Sequence, residues 1–191
     1  MTMMLVFLMA TGQRFLGPPV KAPGAEADKP VLNPGDDAPL FAGVLHDPAE
    51  AGMQRVDVAS LVGADADADQ RKKAVLISFF ATWCKPCKKE MPLLEQLYED
   101  YQSKGLQIIS VAIDKDEATW PEIGELVKKN HITYPIVKDR YNLIARQYLG
   151  DKAALPSVFI LDKDGKVVLV KQGYTDDAAE FLKAEVEKAL Q

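Results

Sequence analysis

Trp83-Cys84-Lys85-Pro86-Cys87 holds the only two cysteines of this 191-residue chain. Two thiols with two residues between them can close a small ring or hold a metal, and their surroundings decide which. Upstream, Ala74-Val75-Leu76-Ile77-Ser78-Phe79-Phe80 is an apolar, β-prone run that ends in a short Ala-Thr-Trp connection. Downstream, Lys88-Lys89-Glu90 leads into a helical pattern of Met91, Leu94, Leu97, Tyr98 and Tyr101. The pair therefore lies where a buried strand hands over to the first turn of a helix.

That position favours thiolate over thiol. A free cysteine ionises near ~8.5, and the thiolate is the reactive form. A helix N-terminus offers unpaired backbone N–H groups and the positive end of the dipole. Lys85, Lys88 and Lys89 add positive charge, and Pro86 falls in the first turn, where its missing N–H costs nothing. Cys84, at the helix mouth, is expected to be the exposed attacking thiol. Cys87, one turn in, is expected to be more buried and to resolve a mixed disulfide. Buried thiols acting only as small hydrophobes would not be set among lysines and a proline. A structural zinc site needs about four ligands, and beyond the two cysteines only His46 and His131 are on offer, so no metal is expected.

The segment Phe79-Phe80-Ala81-Thr82-Trp83-Cys84-Lys85-Pro86-Cys87 resembles the active-site region of thioredoxin-like proteins, and most closely the TlpA/ResA-like thiol–disulfide oxidoreductases of the bacterial cell envelope. Four further segments share the resemblance. Pro92 falls where the family kinks its active-site helix. Val111-Ala112-Ile113-Asp114 resembles the central strand that runs into the family's extra αβ segment. Leu155-Pro156, followed by Ser157-Val158-Phe159-Ile160-Leu161-Asp162, resembles the loop whose cis-proline faces the CxxC, and Asp164-Gly165-Lys166 the hairpin turn after it. The resemblance implies a redox-active Cys84–Cys87 pair, support from Trp83, Lys85, Pro86 and Pro156, and a substrate strand pairing with the backbone of Leu155 beside Pro156. X–Pro bonds are cis in only about 5–6% of cases, so the cis expectation for Pro156 comes from the resemblance alone.

The chain also departs from thioredoxin. Thioredoxins carry a buried acid six residues before the first cysteine, where this chain has Ser78. A hydroxyl cannot serve as proton acceptor at neutral pH, so the acceptor for Cys87 is unassigned. Glu90 is a candidate, set against the simpler reading of a solvated surface glutamate. Asp114, at a strand end near the active-site edge, either tunes the thiols or caps the segment that follows.

With 48% apolar residues the chain can bury one good core. A formal net charge of −5 argues against a nucleic-acid partner. Met3 to Ala10 is apolar but too short to span a membrane, which takes ~20 residues. It reaches the low end of a signal h-region, and no Lys or Arg precedes it. Gly12 to Asp37 is rich in Pro, Gly and Ala and reads as a tether. The expectation is a residual export signal and linker over 1–37 and a thioredoxin-like domain over 38–191. That places the protein in the periplasm or tethered to the membrane facing it, with a cytoplasmic location as the alternative.

Residues 40–45 and 54–58 read as an N-terminal β-hairpin. Ala64 to Asp69 is an acidic loop that is not an EF-hand, because Gln70 stands where glycine is required. Strands are expected at 74–80, 106–113, 133–137, 157–161 and 167–171, and helices at 85–103, 117–130, 141–148 and 176–190. The last helix shows an apolar face of Ala178, Phe181, Leu182, Val186 and Ala189. The pattern is an α/β thioredoxin fold: a mixed central sheet flanked by helices, with an N-terminal β-hairpin and a central αβ insertion.

The functional expectation is a dithiol–disulfide oxidoreductase with no cofactor beyond its own disulfide. It would act as a monomer on disulfide-containing protein substrates, fed by a membrane or soluble thiol donor. The resemblance implies a reductase, with apocytochrome c cysteines among its targets. The alternatives are a peroxiredoxin-like peroxidase, a copper metallochaperone binding Cu(I) through both thiolates, and a redox-inert binding module.

Overall fold

The computed structural model describes residues 32–46, 55–151 and 154–191. In chain order the elements are β1 (Ala42–Val44), β2 (Arg55–Asp57), β3 (Ala74–Phe80), α1 (Lys85–Tyr101), β4 (Leu106–Ala112) and α2 (Trp120–Asn130). They continue with β5 (Ile136–Lys138), α3 (Leu143–Leu149), β6 (Ser157–Asp162), β7 (Val167–Gln172) and α4 (Ala178–Ala189). Every residue of β3 and β4 is buried, as expected of largely apolar strands covered on both faces. These two pair in parallel from Ala74↔Leu106 to Phe80↔Ala112. β6 runs antiparallel on the other side of β3, and the sheet order is β5-β4-β3-β6-β7.

The turn chemistry behaves as expected. Gly105 closes the helix end at φ +106°, and Gly165 makes the β6–β7 turn at φ +81°. Phe79, Tyr148 and Phe159 form an aromatic cluster with ring centroids 5.1–5.9 Å apart. It ties α3 to the sheet, and the Tyr148 hydroxyl donates to the Pro39 carbonyl at 2.8 Å.

The hairpin is present, with β1 antiparallel to β2. It lies along β5: Leu45 bridges Val137 and the His46 N–H donates to the Ile136 carbonyl at 2.7 Å. A Cβ on Gly43 would stand 2.3 Å from Val137 Cγ1, so only glycine allows this approach.

Two expectations need correction. Residues 32–37, read as tether, pack on the sheet: Leu32 is buried, and Gly35 and Asp36 exchange backbone hydrogen bonds with Val167. Asn33-Pro34-Gly35-Asp36 is a turn, closed by the Asn33 N–H donating to Asp36 Oδ2 at 2.7 Å. Phe181 is exposed, because Ala178, Leu182 and Val186 define the buried stripe of α4 and Phe181 falls at its edge. The apolar run at 3–10 lies outside the described residues. Among those described, no helix is long and apolar enough to cross a membrane.

Candidate active site

Cys84 is the N-cap of α1, with an extended backbone (φ −81°, ψ 101°), and its Sγ accepts from the Cys87 N–H at 3.2 Å. Lys85 and Pro86 are the first two helical residues, and a disulfide joins Cys84 to Cys87. Both cysteines are buried, at 5% and 2% exposure. Cys84 is therefore not the exposed thiol that the sequence implied, because its Sγ turns inward to the helix N–H and to Cys87. Trp83 beside it is 69% exposed. Lys85, Lys88 and Lys89 all project to solvent, and the Lys89 ammonium lies 5.9 Å from the centre of the Tyr174 ring.

Pro156 is buried and its peptide bond to Leu155 is cis. Ser157 pairs with Phe79 across β6 and β3, so Pro156 lies level with Phe80 at the edge from which the Cys84 loop departs. The Pro156 carbonyl accepts from Gly173 N–H at 2.7 Å, and Leu155 is half-buried at this rim.

Asp114 is buried and accepts both the backbone N–H of Thr82, at 3.1 Å, and its hydroxyl, at 2.7 Å. It thus moors the loop that carries Trp83 and Cys84. It does not cap the following segment; Asp116 does, accepting from the Ala118 N–H at 2.9 Å. A groove of about 410 Å³ runs beside the loop, lined by Trp83, Ile113, Asp114, Thr119 and Asn142 among others.

Glu90 overturns the solvated reading. Its side chain is 1% exposed and lies on the inner stripe of α1 with Cys87, Met91 and Leu94. Ser78 Oγ donates to its Oε2 at 3.4 Å, and Oε1 has no hydrogen-bond partner among the described residues. Burial pushes its carboxyl up from an ordinary 4.5 to about 7, against the pull of the Lys171 charge and the Ser78 hydrogen bond. The signal was in the sequence: continued back from Leu94 by three and four residues, the apolar stripe reaches Met91 and Glu90, and from there Cys87. Thr82 and Lys171 were missed outright, since neither carries a mark of its role until the sheet register is known.

Among the described residues, no group of three or more His, Cys, Asp or Glu side chains converges as a metal site. The AhpC/TSA family model matches residues 35–170. The chain belongs to that family. Its relatives include the thiol-disulfide oxidoreductase ResA of Bacillus anthracis, 36% identical over 76% of this chain and 73% of the relative. ResA of Bacillus subtilis (strain 168) is 31% identical over 77% of this chain and 72% of its own length. Among solved structures, a thioredoxin-family thiol:disulfide interchange protein from Chlorobium tepidum TLS is 28% identical. That match covers 84% of this chain and 99% of the other, with a TM-score of 0.64. Within its family, this member is a ResA-like thiol–disulfide oxidoreductase of thioredoxin fold.

Proposed function

We propose that this oxidoreductase reduces disulfides in protein substrates of the bacterial cell envelope, with cysteine pairs of apocytochrome c as the substrate class. The observation that carries the reading is the Cys84–Cys87 disulfide on a helix N-terminus, with cis-Pro156 at the same sheet edge and a buried carboxyl one turn further in. In the dithiol form, Cys84 thiolate attacks one sulfur of the substrate disulfide and expels the other as a thiolate, leaving a mixed disulfide. Cys87 then loses its proton to Glu90 and attacks Cys84 Sγ. The second substrate thiolate leaves, and the Cys84–Cys87 bond re-forms. Two electrons pass to the substrate, and a thiol donor restores the dithiol. No other cofactor takes part.

Around this chemistry, Trp83 and the Leu155 backbone receive the substrate chain, Pro156 shapes the rim, Lys85 and Pro86 hold the first helical turn, and Asp114 fixes the loop through Thr82. The protein works as a monomer on the periplasmic side of the membrane.

The test is the Cys84–Cys87 reduction potential, by equilibration against glutathione or dithiothreitol. A value of about −270 mV or lower, as in thioredoxin, supports a reductase. A value near −120 mV would make the protein an oxidant of folding chains and overturn the direction. Peroxide turnover without any disulfide substrate would replace the reading with a peroxidase.

A further inference from the structure

Ser78 pairs with Val158 across β3 and β6, and Val158 pairs with Lys171 across β6 and β7. Directly paired residues share a face of the sheet, so Lys171 shares with Ser78 the face on which Glu90 rests. The Lys171 ammonium turns along the strand and donates to the Gly173 carbonyl at 2.6 Å. Gly173 in turn is bound to the carbonyl of cis-Pro156. The cation is thus half-buried and held at the active-site end of the sheet. Among the described residues, the other buried groups on this side of the helix are neutral or acidic: the cysteines and Glu95 on the helix itself, Ser78 on β3, and Tyr134 with Ser110 toward β5.

We propose that Lys171 is the positioning residue for the proton transfer at Cys87: its charge, held by Gly173, keeps the buried Glu90 carboxylate available as the acceptor. The inference rests on the role given to Glu90 above and adds the group that makes it workable. A carboxyl buried without a counter-charge stays protonated well above neutral pH and cannot take a proton from a thiol. The Lys171 charge opposes that burial from the strand two places across the sheet. Only the proton moves, from Cys87 Sγ to a Glu90 oxygen.

The experiment follows the Glu90 side-chain carboxyl by carbon-detected NMR from pH 5 to 9 in the oxidised full chain, where neither cysteine titrates. In Lys171→Met and Lys171→Gln the midpoint should rise by about one pH unit on loss of the one opposing charge. Lys171→Arg should keep it near the wild-type position. In the reduced protein, release from a mixed disulfide should slow several-fold at pH 7 for Lys171→Met and recover as pH rises. A substitution that merely loosened the edge strand would not give that pH-dependent recovery. An unmoved midpoint in both neutral variants would overturn the role of Lys171 and leave that of Glu90 standing. A wild-type Glu90 that does not titrate in this range would overturn both.

Discussion

The first turns of α1 present two faces that carry charge to opposite effect. On the outer face, Lys85, Lys88 and Lys89 stand in solvent beside an exposed Trp83. On the inner face the Glu90 carboxyl lies at 1% exposure against Ser78, with Lys171 as the counter-charge across two strands. The outer charges are many and screened by water and salt. The inner one is buried away from water and salt, so its protonation state is the one that the fold controls. Three conspicuous lysines thus matter less to the site than one glutamate that looks like a surface residue.

The most severe way to break this comparison is to remove the thiols between the faces. Cys84→Ser should abolish disulfide exchange, and Cys87→Ser should trap mixed disulfides that non-reducing gels detect; full activity in Cys84→Ser would sink the mechanism.

Next in size is Glu90→Gln, which should slow release from the mixed disulfide by about 10²-fold at pH 7, the lower range for a lost general base. The same variant sharpens the comparison through stability. Glu90 binds its proton more tightly folded than unfolded, so wild type loses stability as pH rises from 4.5 through about 7. Glu90→Gln should escape that loss. Its advantage over wild type in the oxidised form should grow to at most roughly 3 kcal/mol above pH 7, as urea melts across pH would show.

Asp114→Ala removes the acceptor of two buried Thr82 donors and should destabilise by about 1–3 kcal/mol in the same melts, independently of the outer lysines. Smallest of all, Lys88→Ala should alter the rate of Cys84 attack only a few-fold, and the difference should fade in high salt. An effect of Lys88→Ala as large as that of Glu90→Gln would erase the distinction between the faces.

Much of this architecture was legible in the residues. The largely apolar runs of β3 and β4, the Asp164-Gly165 turn and the strand-to-helix handover at Cys84 each carry a local signal, and each lands where that signal points. The site was legible only where chemistry is local. Cys84, Cys87 and Pro86 announce themselves, whereas Asp114 and Lys171 act through partners 32 residues away and two strands away. No local pattern encodes such pairings; they follow from register. Glu90 lies between these cases, because its burial depends on which stripe of α1 meets the sheet, and the stripe can be traced through Cys87 as well as from Met91.

Residues 32–46 reach both margins of the five-stranded sheet. The stretch at Gly35–Ala38 laces onto the start of β7, and Leu45 and His46 onto β5. An uncovered strand margin is an open template for a neighbouring molecule to extend, and the hazard grows with concentration. This leading stretch therefore works as a clasp over both margins. A version trimmed back to the redox core at β3 would keep its thiols and its sheet, yet bare both margins, and self-association would be the first property to change.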